Sequence, residues 1–403
     1  MRYRRGMSPP DRPTLRLLPK TDPRPIRRGA PWVYANQLVM DRRSRAIAPG
    51  SLAVLTDADK APLGLVAANP GSKIAARMLD PDPGADVDAA WLTDRLTRAL
   101  ALRETLFDAP FYRLVHAEAD GLPGVVIDRF GAAAAIQPNA AWADTRLDLI
   151  ATVLAEVTGV DTVIKNAAGR ARALEGLDDN SAVLMGAVAG PVSVPMNGAT
   201  YLADLTGGQK TGLFYDQRPN HAFAARLAPG ARVLDVFSHV GGFALAALAG
   251  GATAALAVDA SAPALALAAQ GAEASGFGDR FATRQGDAFD TLQALAGEGA
   301  AFDLVICDPP AFAPAKPALD AGLRAYERVA RLSAALVAPG GYLVLCSCSH
   351  AADLARFRAA SLRGIGRAGR VAQLLHTGFA GPDHPQHPHL AESAYLKALF
   401  FRL

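Results

Sequence analysis

The residues of this chain best suited to chemistry are three thiols, an aspartate followed by two prolines, and a glycine loop set between two aspartates. Cys307, Cys346 and Cys348 fall within 42 residues of one another. The apolar run FDLVICDPPAF, residues 302–312, ends in Asp308-Pro309-Pro310, where prolines can continue neither sheet nor helix and leave a stiff loop. The next apolar run, GYLVLCSCSH, residues 341–350, carries the other two thiols. At the two-residue period of a strand, Cys346 and Cys348 share one face, Ser347 and Ser349 share the other, and Cys348 falls at the strand's end. If the two strands are neighbours, Cys348 and Asp308 line one pocket, where a thiolate can act as a covalent nucleophile. Cys307 and Cys346 read as small buried hydrophobes. An odd cysteine count is no disulfide framework, and C-x-C lacks the paired spacing of a zinc site.

Upstream, VLDVFSHVGGFALAALAGGATAALAVD, residues 233–259, reads as a strand ending at Asp235, a glycine loop, a helix over Phe243 to Leu248, and a second strand ending at Asp259. In a parallel sheet the Gly241-Gly242 loop lies at the carboxyl end of the first strand, where a missing Cβ lets backbone approach a ligand. Asp259, about 20 residues further on, is spaced to accept hydrogen bonds from a ribose. Together they predict an adenosine-containing cofactor. The dinucleotide signature G-x-G-x-x-G is absent, so no pyrophosphate cradle is expected. Helix-to-strand packing is the other use that such glycines have.

These segments must be positioned by a chain of 403 residues, long enough for two or three domains. Its net charge of +3 is unevenly placed: the first 45 residues carry 12 Lys or Arg against 3 Asp, a balance of +9, and the remaining 358 carry 29 basic against 35 acidic, a balance of −6. A basic arm on a mildly acidic body suits a polyanion such as RNA. No stretch reads as a membrane span, and no apolar segment of a secretory signal follows the arginines, so a cytoplasmic protein is expected. The prolines of DHPQHPH, His384 to His389, hold its histidines extended, without the spacing of a metal site, so no metal is expected. A loop closing over substrate is the preferred reading of that segment. The oligomeric state is left open, a homodimer included.

Residues 1 to 11 read as unstructured. Short β runs and turns then extend through KIAARML, so residues 1–82 form a basic arm and a small β-barrel. Residues 83–195 read as a mixed α/β domain: a helix over Ala89 to Leu106, short strands around Asp120-Gly121-Leu122-Pro123-Gly124, and a second helix over Ala143 to Thr158. Residues 196–403 alternate strands with helices, among them Ala222 to Leu227 and a helix around Tyr326 to Val337. This is the pattern of a doubly wound parallel sheet.

In class I methyltransferases, Asp or Asn followed by Pro-Pro and an aromatic residue lies beside the acceptor base. The set TGGQKTGLFYDQR, VLDVFSHVGGFAL, AVDAS, GDAF, CDPPAF and LCSCSH, with RRGAPWVYANQL, YRLVHAEADGLPGVVIDRFG and the C-terminal Asp383 and Tyr395 segments, resembles the RlmI-type S-adenosylmethionine-dependent rRNA cytosine methyltransferases over nearly the whole chain. The resemblance implies an N-terminal PUA domain for RNA, a small central α/β domain and a Rossmann-like catalytic domain. It implies that Asp235, Phe237, Gly241, Gly242 and Arg218 lie at the S-adenosylmethionine site. It further implies that Asp259 holds the ribose, Asp287 lies near the adenine, Asp308 reaches both the methionine end and the base, and Cys348 is the S-C-S cysteine. Lys210 and Gln217 fall in a motif near the site. Two departures stand out: Ala311 follows Asp-Pro-Pro where the family commonly has Lys, and Cys346 replaces a residue more often apolar or aromatic.

Cytosine carbon 5 is a poor nucleophile until a thiolate adds to carbon 6. Cys348 is assigned that role, and Asp308 a hydrogen bond to the cytosine edge around N3 and the amino group. A base must then take the carbon 5 proton, and a helical target must be flipped out, with Phe312 available to stack on it. The alternatives are N-methylation of guanine or adenine, which needs no thiol, and a non-catalytic RNA-binding assembly factor.

Overall fold

The computed structural model describes residues 12–207 and 212–403, with the side chain of Arg170 outside that description. The tail of residues 1–11 and Lys210 therefore lie outside the described residues. The chain divides into two compact units, one running to Val188 and taking back His387–Leu390, the other comprising Ala189–Gln386 and Ala391–Leu403.

In the first unit, strands Thr14–Arg16, Ser51–Thr56, Pro62–Ala68, Ile74–Asp80 and Trp32–Tyr34 lie side by side in that order. Their inward residues, including Leu15, Val33, Leu55 and Val66, form one core. Leu18 N donates to Gln37 O and Val39 N to Arg16 O, each at 2.8 Å, so the sheet curls toward closure. The module is not purely β as its pattern suggests. PRPIRR contains a helical turn, Arg24–Arg27, and Asp41 caps another, Arg42–Arg45, by accepting from Ser44 N at 2.8 Å. Single turns are too short to imprint a helical period.

A second sheet, in the order Ala182–Met185, Thr162–Lys165, Ala133–Pro138, Val125–Phe130 and Phe111–His116, packs with helices Ala89–Leu106 and Leu147–Thr158. Leu65, Ala67 and Leu79 of the first sheet belong to the same apolar cluster as Leu92, Leu96, Ile127 and Ile150, so the two sheets share a core. The helix expected over Ala143 to Thr158 is split into Ala141–Asp144 and Leu147–Thr158. Trp142 Nε1 donates to Pro123 O at 2.8 Å and Thr145 Oγ1 to Trp142 O at 3.0 Å, which fixes the break. Asp120 of the DGLPG turn clamps buried Arg103 through two 2.7 Å hydrogen bonds, so this conspicuous motif serves the architecture.

The second unit is the Rossmann-like sheet. Its strands are β1 (Arg232–Val236), β2 (Ala254–Asp259), β3 (Phe281–Gln285), β4 (Phe302–Cys307), β5 (Val337–Ser347), β6 (Gln373–Gly378) and β7 (Lys397–Arg402), in the order β3-β2-β1-β4-β5-β7-β6. Strands β1 to β5 pair in parallel, but β7 is antiparallel to both β5 and β6, a departure from the all-parallel reading. Apolar alternation carries no strand direction, so the sequence could not show it.

The helices are α1 (Arg218–Arg226), α2 (Gly242–Ala249), α3 (Ala262–Ala274), α4 (Ala288–Gly297), α5 (Leu319–Ala334) and α6 (Leu354–Arg367). Helix α1 starts before the expected Ala222 because Pro219 fits a first helical turn. Helix α5 ends at Ala334, and Val337 already begins β5. Strand order reverses between β1 and β4, which opens a crevice beyond their carboxyl ends.

Candidate active site

The loop after β1 is strained where the crevice opens. Phe237 and His239 have φ of +62° and +50°, left-handed without being glycine, and Gly241 has +80°. Backbone bonds hold it: Ser238 N donates to Val258 O at 3.0 Å, and Asp308 N to Val236 O at 3.2 Å. Asp259 Oδ2 accepts from His239 N at 2.9 Å and its Oδ1 from Ser261 N at 2.8 Å. The residue that the sequence gives to a ribose thus also shapes the loop, and each carboxylate oxygen keeps a further lone pair.

The glycine pair has internal reasons of its own. Gly241 requires its left-handed backbone, and a Cβ on Gly242 would sit 2.8 Å from the His221 ring. His221 is fully buried between Tyr201 and Phe243, and burial lowers its pKa to about 3, so it is neutral.

Asp235, Asp308 and Asp259 converge at the ends of β1, β4 and β2. Asp235 is 1% exposed, its Oδ2 accepts from Ala244 N at 2.9 Å, and its Oδ1 has no partner among the described residues. Burial, and then the neighbouring carboxylates of Asp308 and Asp259, raise its pKa to about 8. An orphaned carboxylate oxygen beside two further acids is suited to a ligand with fixed positive charge, and S-adenosylmethionine carries a sulfonium and an ammonium. The residues present fit that cofactor.

Because the folded-state pKa of Asp235 lies above the ordinary 3.8, the folded chain holds an extra proton between the two values. Its contribution to stability therefore falls as pH rises through that window. A bound cation favours the carboxylate, so cofactor binding should release protons, and affinity should rise with pH up to about 8. Calorimetry in buffers of different ionisation enthalpy should find less proton release in Asp235→Asn than in the native chain. An equal release would remove Asp235 from the linkage.

Strands β4 and β5 are parallel neighbours, with Cys307 opposite Leu345, so the Asp-Pro-Pro loop and the S-C-S segment adjoin as expected. Cys348 is half-buried, and its Sγ lies 3.9 Å from Pro309 O, one residue from Asp308. The other thiols are enclosed. Cys307 lies 3.0 Å from Ser333 Oγ, and burial pushes its pKa up to about 12. Cys346 is 1% exposed, and burial followed by the Asp308 charge carries its pKa well above the ordinary thiol value.

The serines beside Cys348 face the other way and are both buried. Ser347 Oγ donates to Tyr326 Oη at 2.9 Å, Tyr326 Oη lies 2.7 Å from Ser349 Oγ, and Ala313 N donates to Ser349 Oγ at 2.9 Å. Tyr326 on α5 thus ties the S-C-S segment to the loop after Asp308. Nothing in the spacing of Tyr326 announces this role.

Phe237 and Phe312 lie in one aromatic group with Phe289 and Tyr326. Phe312, expected to stack on a base, is half-buried there. Asp287 lies beyond β3, and its Oδ1 caps α4 by accepting from Phe289 N at 2.8 Å and Asp290 N at 3.1 Å. Arg218 opens α1, its guanidinium 5.2 Å from the Tyr215 ring and within electrostatic reach of buried Asp383. Gln217 is buried, its Oε1 accepting from Asn220 Nδ2 at 2.7 Å. His384 Nδ1 lies 3.0 Å from Asp383 Oδ1, and both residues are buried. Among the described residues no cluster of His, Cys, Asp and Glu is arranged to hold a metal, and no helix is long and apolar enough to cross a membrane.

Lys397, the last residue of the YLK segment at Tyr395 and the first residue of β7, was given no role by sequence reasoning. It is 4% exposed, and its Nζ donates to Ser349 O at 2.7 Å and Ala352 O at 2.9 Å. The signal was its place in YLK, a lysine at the head of the apolar run KALFF.

Comparison with known proteins agrees with this geometry. Residues 162–402 match the S-adenosylmethionine-dependent methyltransferase family, and residues 15–81 match the PUA-like domain. The ribosomal RNA large subunit methyltransferase of Deinococcus radiodurans is 36% identical over 408 residues, covering 97% of this chain and 98% of the relative. The ribosomal RNA large subunit methyltransferase I of Alteromonas mediterranea is 34% identical over 387 residues, covering 95% and 97%. A solved structure from Streptococcus mutans, described as a SAM-dependent methyltransferase, superimposes with a TM-score of 0.81 at 20% identity over 97% of this chain and 100% of that one, a likeness of fold. A methyltransferase solved in complex with SAH gives the same TM-score. With S-adenosylmethionine as its cofactor, this chain belongs to the S-adenosylmethionine-dependent methyltransferase family, alongside the ribosomal RNA large subunit methyltransferases I.

Proposed function

We propose that this enzyme methylates carbon 5 of a cytosine in large-subunit rRNA through a covalent Cys348 adduct. The observation that carries the reading is the half-buried Cys348 thiol beside the Asp-Pro-Pro loop, against two fully buried companions. S-adenosylmethionine, which Asp235, Phe237, Gly241, Gly242, Asp259 and Asp287 would hold with Arg218 nearby, would supply an electrophilic methyl group and leave as S-adenosylhomocysteine. The Cys348 thiolate adds to carbon 6, and the displaced electron pair makes carbon 5 nucleophilic, while Asp308 holds the base at N3 and the amino group. After methylation a base removes the carbon 5 proton, and those electrons restore the ring double bond and expel the thiolate. Methyl transfer to rRNA bearing tritium at cytosine carbon 5 should release tritium to water in step with methyl incorporation. Incorporation without release would mean that the acceptor is a nitrogen.

The RNA-binding part is assigned to residues 1–82, ahead of a central segment 83–195 and the methyltransferase domain 196–403. The shared core of the two sheets makes deletion of residues 1–82 a poor test, because removing Leu65, Ala67 and Leu79 would leave an apolar face behind. Arg42, Arg43 and Arg45 are exposed on one helical turn and can be changed without touching that core. Replacing all three by Ala should flatten the slope of log affinity for rRNA against log salt, by about 0.7 to 0.9 for each phosphate that is no longer neutralised. Cofactor affinity should stay the same. An unchanged slope would place the RNA-binding surface elsewhere.

A further inference from the structure

Lys397 has no part in the scheme above. It enters on β7, where antiparallel register sets it opposite Ser347, one residue before Cys348. Its ammonium donates to the carbonyls of Ser349 and Ala352, bracketing the segment that follows the thiol, and it is almost wholly shielded from water. Two carbonyls satisfy two of its three donors and neutralise none of its charge. A buried cation without a carboxylate in contact is costly, and a nearby anion would relieve that cost.

We propose that Lys397 is a positioning residue for Cys348: it pins the S-C-S segment through the two carbonyls and holds the thiol toward its anionic form. The proposal rests on the reading of Cys348 as nucleophile. Burial lowers the Lys397 pKa to about 8, while Cys348 and then Asp353 act in the opposite direction. The ammonium therefore remains largely protonated at pH 7, and each ionisation at this pair favours the charged form of the other. Other groups face the thiol as well. Tyr326, whose hydroxyl joins both serines, is kept neutral by burial, and Asp308 lies one residue before Pro309, whose carbonyl is 3.9 Å from the thiol. Asp353 caps α6, and His350 is exposed. The Lys397 cation is the positive charge bound to the segment on which the nucleophile must lose its proton.

The test is the pH profile of Cys348 alkylation by iodoacetamide in the full-length protein, read by mass spectrometry of the Cys348 peptide. Lys397→Met keeps the length of the stem and removes the charge. At pH 7 it should slow alkylation about tenfold, the consequence of raising a thiol pKa by about one unit, and the rates should converge as pH approaches about 10. Lys397→Arg, which keeps the charge, should retain the native profile and also shows whether the position tolerates change. Methyl transfer by Lys397→Met should lose kcat at pH 7, regain it at higher pH, and leave the KM for RNA unchanged. An unaltered alkylation profile in Lys397→Met would overturn the proposal, and so would faster alkylation at every pH, the mark of a loosened loop. Alkylation involves no RNA, so its outcome is independent of whether Cys348 attacks cytosine.

Discussion

Cys348→Ser is expected to abolish methyl transfer, with a fall of about four orders of magnitude or more in kcat, the scale on which loss of a covalent nucleophile is felt. The reason is chemical, since a thiolate is accessible near neutral pH and a serine alkoxide is not. The substitution is nearly isosteric at a half-buried position, so fold and cofactor affinity should survive. Cys346 and Cys307 are buried, and a thiol whose pKa burial pushes up is no nucleophile. Cys346→Ser and Cys307→Ser should both keep turnover within about an order of magnitude, with stability losses of about 1–3 kcal/mol for a buried hydroxyl in a thiol's place. Single-turnover methylation of rRNA, with circular dichroism as the fold control, checks all three. A Cys348→Ser enzyme that turns over at the native rate would move the reaction to a nitrogen acceptor.

Asp259→Ala should weaken S-adenosylmethionine binding by about ten- to a hundredfold, the equivalent of a charge-assisted hydrogen bond of about 1.5–3 kcal/mol. The geometry adds a second loss. Asp259 accepts from His239 N and Ser261 N, so the alanine variant also frees the loop that carries the left-handed Phe237 and His239. Asp259→Asn keeps an acceptor oxygen for one of those amides and should fall between the two. Direct binding calorimetry reads both effects, and native affinity in Asp259→Ala would take the residue out of the cofactor site.

The sheet and its crevice were legible because each strand there announces itself. A short apolar run ending in Asp, as in VLD, LAVD and VICD, gives both the strand and the end where polar groups emerge. That Cys348 lies by the Asp-Pro-Pro loop was expected on the condition that the two strands are neighbours, and β4 and β5 are. The reversed final strand did not follow, since period and polarity are the same in either direction. Gly242 read as an opening for a ligand, yet its close neighbour is the His221 ring, a contact between α1 and α2 that no spacing encodes. Asp287 and Asp259 have backbone partners of their own, which a motif match cannot show. Ser347 and Ser349 lie inside a recognised motif, but their partner Tyr326 is 21 residues away from the first of them, on another element. Lys397 stands in the matched YLK segment, but its role was hidden for the same reason: it depends on carbonyls 48 and 45 residues earlier in the chain.

The most direct measurement is covalent trapping on rRNA carrying 5-fluorocytidine at the target position. Fluorine at carbon 5 cannot leave as a proton does, so once the methyl has been transferred the bond between sulfur and carbon 6 cannot be released. In the presence of S-adenosylmethionine the native protein, Cys346→Ser and Cys307→Ser should each form an adduct that resists denaturation, with the nucleotide mapped to Cys348, and Cys348→Ser should form none. An adduct that persists in Cys348→Ser, or methylation of the unsubstituted rRNA by a native protein that traps nothing on the fluorinated one, would contradict attack by Cys348 on a cytosine.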